Sequence, residues 1–100
     1  MVRHIVFFRL KERNDPSALA TGRQEMKRIF EGLPSLIPAI REYHVGLNVS
    51  SSPNAWDVVI DSTFDSEEKL NEYRDHPAHR EAVEKAKPLF HETAVVDYLI

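Results

Sequence analysis

The sequence lacks several features on which whole classes of function depend. It contains no cysteine, which excludes disulfides, thiolate metal ligands and cysteine nucleophiles. Its 13 basic residues are outnumbered by 16 acidic ones, so the chain offers no positive field to nucleic acid or to an anionic membrane. Only 3 glycines are present, and none has the spacing of a phosphate-binding loop. No apolar run approaches the roughly 20 residues of a membrane helix. From the charge balance and the absence of such a run, we expect a cytoplasmic protein that binds neither nucleic acid nor membranes.

The patterns that are present alternate between strand and helix and are typical of one domain over residues 1–100. Runs of β-branched and aromatic residues predict four strands. The first of them, near the N-terminus, carries charges and no cleavage site of small residues, so it indicates a strand and not a signal peptide. The predicted strands are Val2–Leu10, Ile40–Val49, Trp56–Phe64 and Thr93–Ile100.

Three signals predict where the helices begin. Asp15 can cap the first helix through its carboxylate. The proline that follows it suits the first helical position, because its missing N–H would be unpaired there. Asp65, with Glu68 three residues later, resembles a capping box. His76 precedes Pro77, and a residue before proline resists helical angles, so a new helix should begin there. The apolar residues predicted on the buried side of this last helix are Val83, Ala86, Leu89 and Phe90.

The order β-α-β-β-α-β predicts an α+β, ferredoxin-like fold with a four-stranded antiparallel sheet and its helices on one face. The other face of such a sheet is bare, and in a monomer it should be polar. Here it is apolar in either case, because one alternation of the first strand offers Ile5 and Phe7 and the other offers Val6, Phe8 and Leu10. We therefore predict a homodimer that pairs through the sheet face. The alternative is a monomer that tolerates some exposed apolar surface.

Three histidines and a tyrosine are candidate site residues. His4 lies in an apolar strand, where a desolvated neutral imidazole suits a general base, although a hydrogen-bonded histidine at a strand end is the alternative. His79 follows the start of the last helix, whose N-terminus disfavours an imidazolium and keeps the ring able to accept a proton. His76 is read first as the N-cap of that helix and second as a binding residue. Tyr73 either hydrogen-bonds within the core or polarises a substrate carbonyl.

Trp56 and Phe64 fall on one predicted strand face, where they either pack in the core or line the same cavity as the histidines. The His-x-x-His spacing of His76 and His79 would be possible for two metal ligands on one helix. Pro77 should separate their side chains, however, and zinc sites need three or four ligands, so we expect no metal.

Several segments resemble the stress-responsive A/B barrel (Dabb) family over essentially the whole chain. They are His4 to Leu10, Thr63 to Ser66, the Tyr-x-x-His-Pro-x-His stretch from Tyr73 to His79, and Val96 to Tyr98. The resemblance implies a dimeric α/β barrel, in which two sheets face each other, and no cofactor. Most members have no assigned activity, and some are plant stress-associated proteins.

A plant polyketide cyclase in this family uses histidines and a tyrosine in a pocket between sheet and helices. The resemblance matches His4, Tyr73 and His79 to residues of that pocket. Val58 stands where the cyclase has another histidine, so it is counted here as a binding residue and not as a catalytic one. Related barrels include cofactor-free monooxygenases that act on aromatic polyketides.

Three hypotheses about function follow. The first is a homodimer of undefined activity that is stress-associated or binds a small hydrophobic molecule. The second is a cofactor-independent cyclase, lyase or monooxygenase on a polyketide-like or aromatic substrate, with His79 as base, Tyr73 orienting the substrate and His4 assisting. The third is a purely structural dimer module. A cavity of about 300 Å³ or more on which His4 and His79 converge would favour the second, and a filled interior would favour the third.

Overall fold

Four antiparallel strands form a single sheet in the order β2-β3-β1-β4, and the ferredoxin-like fold expected from the sequence is confirmed. The computed structural model describes residues 1–100. A short 3₁₀ turn at Leu33–Ser35 follows the first helix. The elements in chain order are β1 (Val2–Leu10), α1 (Pro16–Phe30), β2 (Glu42–Leu47), β3 (Val58–Phe64), α2 (Glu67–Asp75), α3 (Pro77–Ala86) and β4 (Phe90–Leu99).

Polar side chains fix the starts of the three helices. The Asp15 carboxylate accepts hydrogen bonds from the backbone N–H groups at the start of α1, and His76 Nδ1 accepts one from the Ala78 N–H at 3.0 Å, as predicted for both. The predicted capping box of α2 is wrong by one residue. Ser66 caps this helix by accepting from the Lys69 N–H, because the Asp65 carboxylate turns away to pair with an arginine.

The strand ends differ from prediction at three places. β2 is shorter than the predicted Ile40–Val49. The Ile40 N–H donates to the Ile37 carbonyl in a turn that precedes the strand. β3 begins two residues after Trp56, at Val58. β4 begins at Phe90, which pairs with Leu10 instead of continuing the last helix. The backbone leaves that helix at a turn in which the Leu89 N–H donates to the Ala86 carbonyl.

The alternation along β1 divides the sheet into a side that the helices cover and a side that they leave bare. His4, Val6 and Phe8 point toward the helices, where the buried core lies. Ile5 and Phe7 point to the bare face. Of the two faces that the sequence left as alternatives, the one with Ile5 and Phe7 is therefore bare, and His4 lies on the side that the helices cover.

No helix of this chain is long and apolar enough to cross a membrane.

Candidate functional site

A cavity of about 250 Å³ lies between the helix-facing side of the sheet and the three helices. Its walls are mostly apolar, and its polar groups come from two histidines, a tyrosine and a threonine. The interior is therefore not filled, although the volume falls somewhat below the 300 Å³ set above as a criterion. The lining residues are His4, Val6, Phe8, Phe30, Ile60, Tyr73, His79, Val83, Phe90 and Thr93.

His4 is the polar group in the floor of the cavity, and only 5% of it is exposed. It lies directly across from Asp97, because β1 and β4 pair with these two residues in register. His4 Nδ1 is hydrogen-bonded to Asp97 Oδ1, and Asp97 Oδ2 accepts from Arg74 Nη2 at 2.7 Å. A carboxylate can only accept, so His4 Nδ1 carries a proton, and in the neutral form of the ring Nε2 holds the lone pair.

Asp97 remains ionised in this arrangement. Burial works against its charged form, but the hydrogen bonds from His4 and Arg74 outweigh burial and hold the pKa of Asp97 below its ordinary value. The carboxylate therefore orients the imidazole and stabilises any positive charge that develops on it.

His79 enters the cavity from the first turn of α3. Its Nδ1 lies 3.1 Å from the backbone carbonyl oxygen of Arg74, which can only accept, so this ring also carries its proton on Nδ1. Burial lowers the pKa of His79 below its ordinary value, and it outweighs the hydrogen bond to the Arg74 carbonyl, which acts in the opposite direction. The nearby charge of Arg74 adds to the effect of burial.

The ring of Tyr73 is close to the rings of both histidines. Its ring centroid lies 4.4 Å from that of His79 and 6.1 Å from that of His4. Its hydroxyl is 2.9 Å from the hydroxyl of Tyr43 on β2. Burial raises the pKa of Tyr73 to about 12, so at neutral pH this group donates or accepts a hydrogen bond and does not act as a base.

The structure brings three of the predicted site residues together at one cavity and places the other four elsewhere. Phe64 is buried behind the site, with its ring centroid 5.1 Å from that of Tyr73. Val58 packs in the core beyond the cavity wall. His76 caps α3 and does not line the cavity.

The prediction that Trp56 shares a face with Phe64 is wrong. Trp56 precedes β3, so the alternation of that strand does not extend to it. Its ring lies on the bare side of the sheet, where the Arg9 guanidinium carbon is 4.4 Å from the ring centroid and the Phe7 ring is adjacent. The carboxylate of the next residue, Asp57, is instead buried and accepts from the Leu10 N–H.

Sequence reasoning missed the polar partners Asp97, Arg74 and Tyr43. Asp97 had a detectable signal, because it is the acidic residue between Val95 and Leu99 on one face of an otherwise apolar strand. Arg74 and Tyr43 look like ordinary surface and strand residues. Only the strand register and the path of α2 show what they contact.

The model of the Stress Responsive A/B Barrel Domain (Dabb) family matches residues 2–100. This chain belongs to the Dabb family. An uncharacterized protein of Streptomyces coelicolor is 34% identical over 86 residues, which are 83% of this chain and 84% of the relative. The Dabb resemblance seen in the sequence is thereby confirmed.

Two solved structures extend the comparison of this Dabb chain. A dimeric protein of unknown function and ferredoxin-like fold from Bacteroides fragilis is 30% identical, with a TM-score of 0.87 over 99% of this chain and 95% of the other. The hydroxynitrile lyase from Passiflora edulis has a TM-score of 0.78 at 21% identity, over 99% of this chain and 92% of the lyase. The second likeness shows the fold alone.

Proposed function

We propose that this Dabb protein binds a small, largely apolar molecule in the cavity between sheet and helices and that His4 removes a proton from it. The observation that carries the proposal is that buried His4 lines the cavity and is hydrogen-bonded through Nδ1 to Asp97 behind it. A site that only binds apolar molecules has no need of a buried imidazole whose Nδ1 is hydrogen-bonded to a carboxylate.

The chemistry follows from the protonation states of the groups around the cavity. Neutral His4 has its lone pair on Nε2, and an imidazole in this state is a general base near neutral pH. When it takes up a proton, the Asp97 carboxylate stabilises the imidazolium by hydrogen bonding and charge. His79, whose pKa burial lowers, is a second proton acceptor, and its ring lies next to that of Tyr73.

The lining indicates the kind of molecule that fits. Phe8, Phe30 and Phe90 pack together, with ring centroids 5.7 and 5.1 Å from that of Phe8, and they form an aromatic end of the cavity. His4, Tyr73 and His79 form a separate polar group in the lining, whereas Thr93 lies across from Phe8. A flat molecule with one apolar ring and one carbonyl or enol group matches this division. Removal of a proton beside a carbonyl group is a step compatible with the cyclase and lyase classes considered above, with His4 in place of His79 as the base.

The experiment is deuterium exchange at the carbon beside the carbonyl of 2-indanone, a small bicyclic ketone whose exchange in D₂O needs only a base. We expect the protein to accelerate exchange and H4A to lose about 10²-fold or more of that acceleration. H91A is the matched control, because His91 is exposed on β4, beside a carboxylate, and outside the cavity. An H4A rate equal to that of the native protein would contradict the proposal.

The proposal includes a homodimer formed through the bare sheet face. Val96 and Tyr98 on this face are 53% and 43% exposed, and Ile5 and Phe7 lie beside them on β1. The relative from Bacteroides fragilis, at 30% identity, is described as dimeric. Arg3 on this face donates to both oxygens of Asp61 at 2.9 and 2.8 Å. A second copy can therefore cover these two charges without leaving either of them unpaired.

A further inference from the structure

We infer that Arg74 is a positioning residue that fixes the proton of both cavity histidines on Nδ1, through its guanidinium for His4 and through its backbone carbonyl for His79. The inference rests on the proposed function and names the residue that keeps its two candidate bases in the accepting state. Arg74 itself does not line the cavity.

The guanidinium acts through Asp97. Arg74 Nη2 donates to Asp97 Oδ2 at 2.7 Å, and Asp97 Oδ1 is the oxygen that holds His4 Nδ1. Asp97 is on the edge strand β4, and its side chain is about one-third exposed, so water could otherwise compete for it. With Oδ2 held by a cation, the carboxylate keeps its charge and its orientation toward His4.

The carbonyl acts directly on His79. Arg74 is in the last turn of α2, where backbone carbonyls have no partner within the helix. The chain then breaks at His76-Pro77 and begins α3, which brings the His79 ring back over that turn. His79 Nδ1 donates to the Arg74 carbonyl oxygen at 3.1 Å and leaves Nε2 as the acceptor.

The two halves of Arg74 therefore act on different atoms and can be separated by mutation. A side-chain substitution removes the hold on Asp97 and leaves the carbonyl in place. We expect such a substitution to let the His4 proton exchange between Nδ1 and Nε2 and to leave the His79 proton on Nδ1. It should also raise the pKa of His79, because the positive charge of Arg74 opposes protonation of that ring.

The test is the ring nitrogen spectrum of the histidines by ¹H–¹⁵N NMR in the intact protein, because the two neutral tautomers give different nitrogen shifts. In R74Q we expect His4 to lose its single Nδ1–H state and to give averaged shifts, while His79 keeps its state. R74K retains a cation within reach of Asp97 and should restore the native His4 signals. R80Q is the control, since Arg80 is an exposed arginine on α3 paired only with Asp75.

The outcomes are distinct. Native His4 shifts in R74Q would overturn the inference, and so would loss of the His79 Nδ1–H state in the same variant. If R74Q does not fold, R74M keeps the aliphatic stem without the charge and is scored by the same two signals. The readout needs no substrate. If H4A leaves 2-indanone exchange unchanged, the proposed function fails while the tautomer result still decides the role of Arg74.

Discussion

At the scale of residues, the polar groups around the cavity are satisfied in pairs. His4 is held by Asp97, His79 by a backbone carbonyl, and Tyr73 by the hydroxyl of Tyr43. Each of these three side chains therefore has one hydrogen-bond partner, which matters because an unpaired buried polar group is costly. The pairing leaves one nitrogen of each histidine for a bound molecule.

The lowered pKa of His79 predicts how the stability of the protein depends on pH. Above the ordinary histidine value of 6.5 the ring is neutral in both the folded and unfolded states. As pH falls below that value, the unfolded chain takes up a proton that the folded protein does not, so the free energy of unfolding decreases. We expect urea midpoints to fall from about pH 7 to pH 5 and to fall less steeply in H79Q.

The control for this prediction is H91Q, because His91 is exposed on β4. Its profile should follow that of the native protein at the same protein concentration. An H79Q profile as steep as the native one would show that His79 does not carry the effect.

At the scale of elements, the starts of helices could be predicted from the sequence more closely than the ends of strands. Asp15 and His76 cap helices through local hydrogen bonds, so a few adjacent residues carry the whole signal. The starts of β3 and β4 depend instead on which distant residues they meet. Phe90 looks like the end of an amphipathic helix but pairs with Leu10, a contact that no local pattern shows.

The capping role of His76 can be measured. H76A removes the acceptor for the Ala78 N–H and should lower the free energy of unfolding by about 1 kcal/mol. H76N offers a side-chain oxygen at the same position and should retain most of the stability. Denaturant titration checks both variants. Equal losses in H76A and H76N would mean that the ring contributes by packing and not as a cap.

At the scale of the whole molecule, we propose that the two faces of one sheet have different tasks, ligand binding on the helix side and pairing with a second copy on the bare side. The sequence alone predicted the fold and an apolar bare face, because the first strand carries large apolar residues on both of its faces. It predicted three residues of the site, His4, Tyr73 and His79. It did not predict Asp97 as their partner, because that contact depends on the register between the first and last strands.

The dimer is tested by placing a charge on the bare face. V96R puts an arginine among the exposed apolar residues of the bare face, and we expect light scattering at micromolar concentration to show a monomer, with the native protein a dimer. L36R is the matched control, because Leu36 is 58% exposed on the helix side of the molecule. A native protein that is monomeric under these conditions would contradict the homodimer.

The division of the sheet into a ligand side and a partner side is tested most directly by mapping where 2-indanone binds, with amide chemical shifts of the dimer. We expect the largest shifts at His79, Val83 and Phe90 around the cavity, and their loss in V83W, whose indole would occupy the space. Shifts concentrated on the bare face, at Ile5 and Val96, would contradict the account.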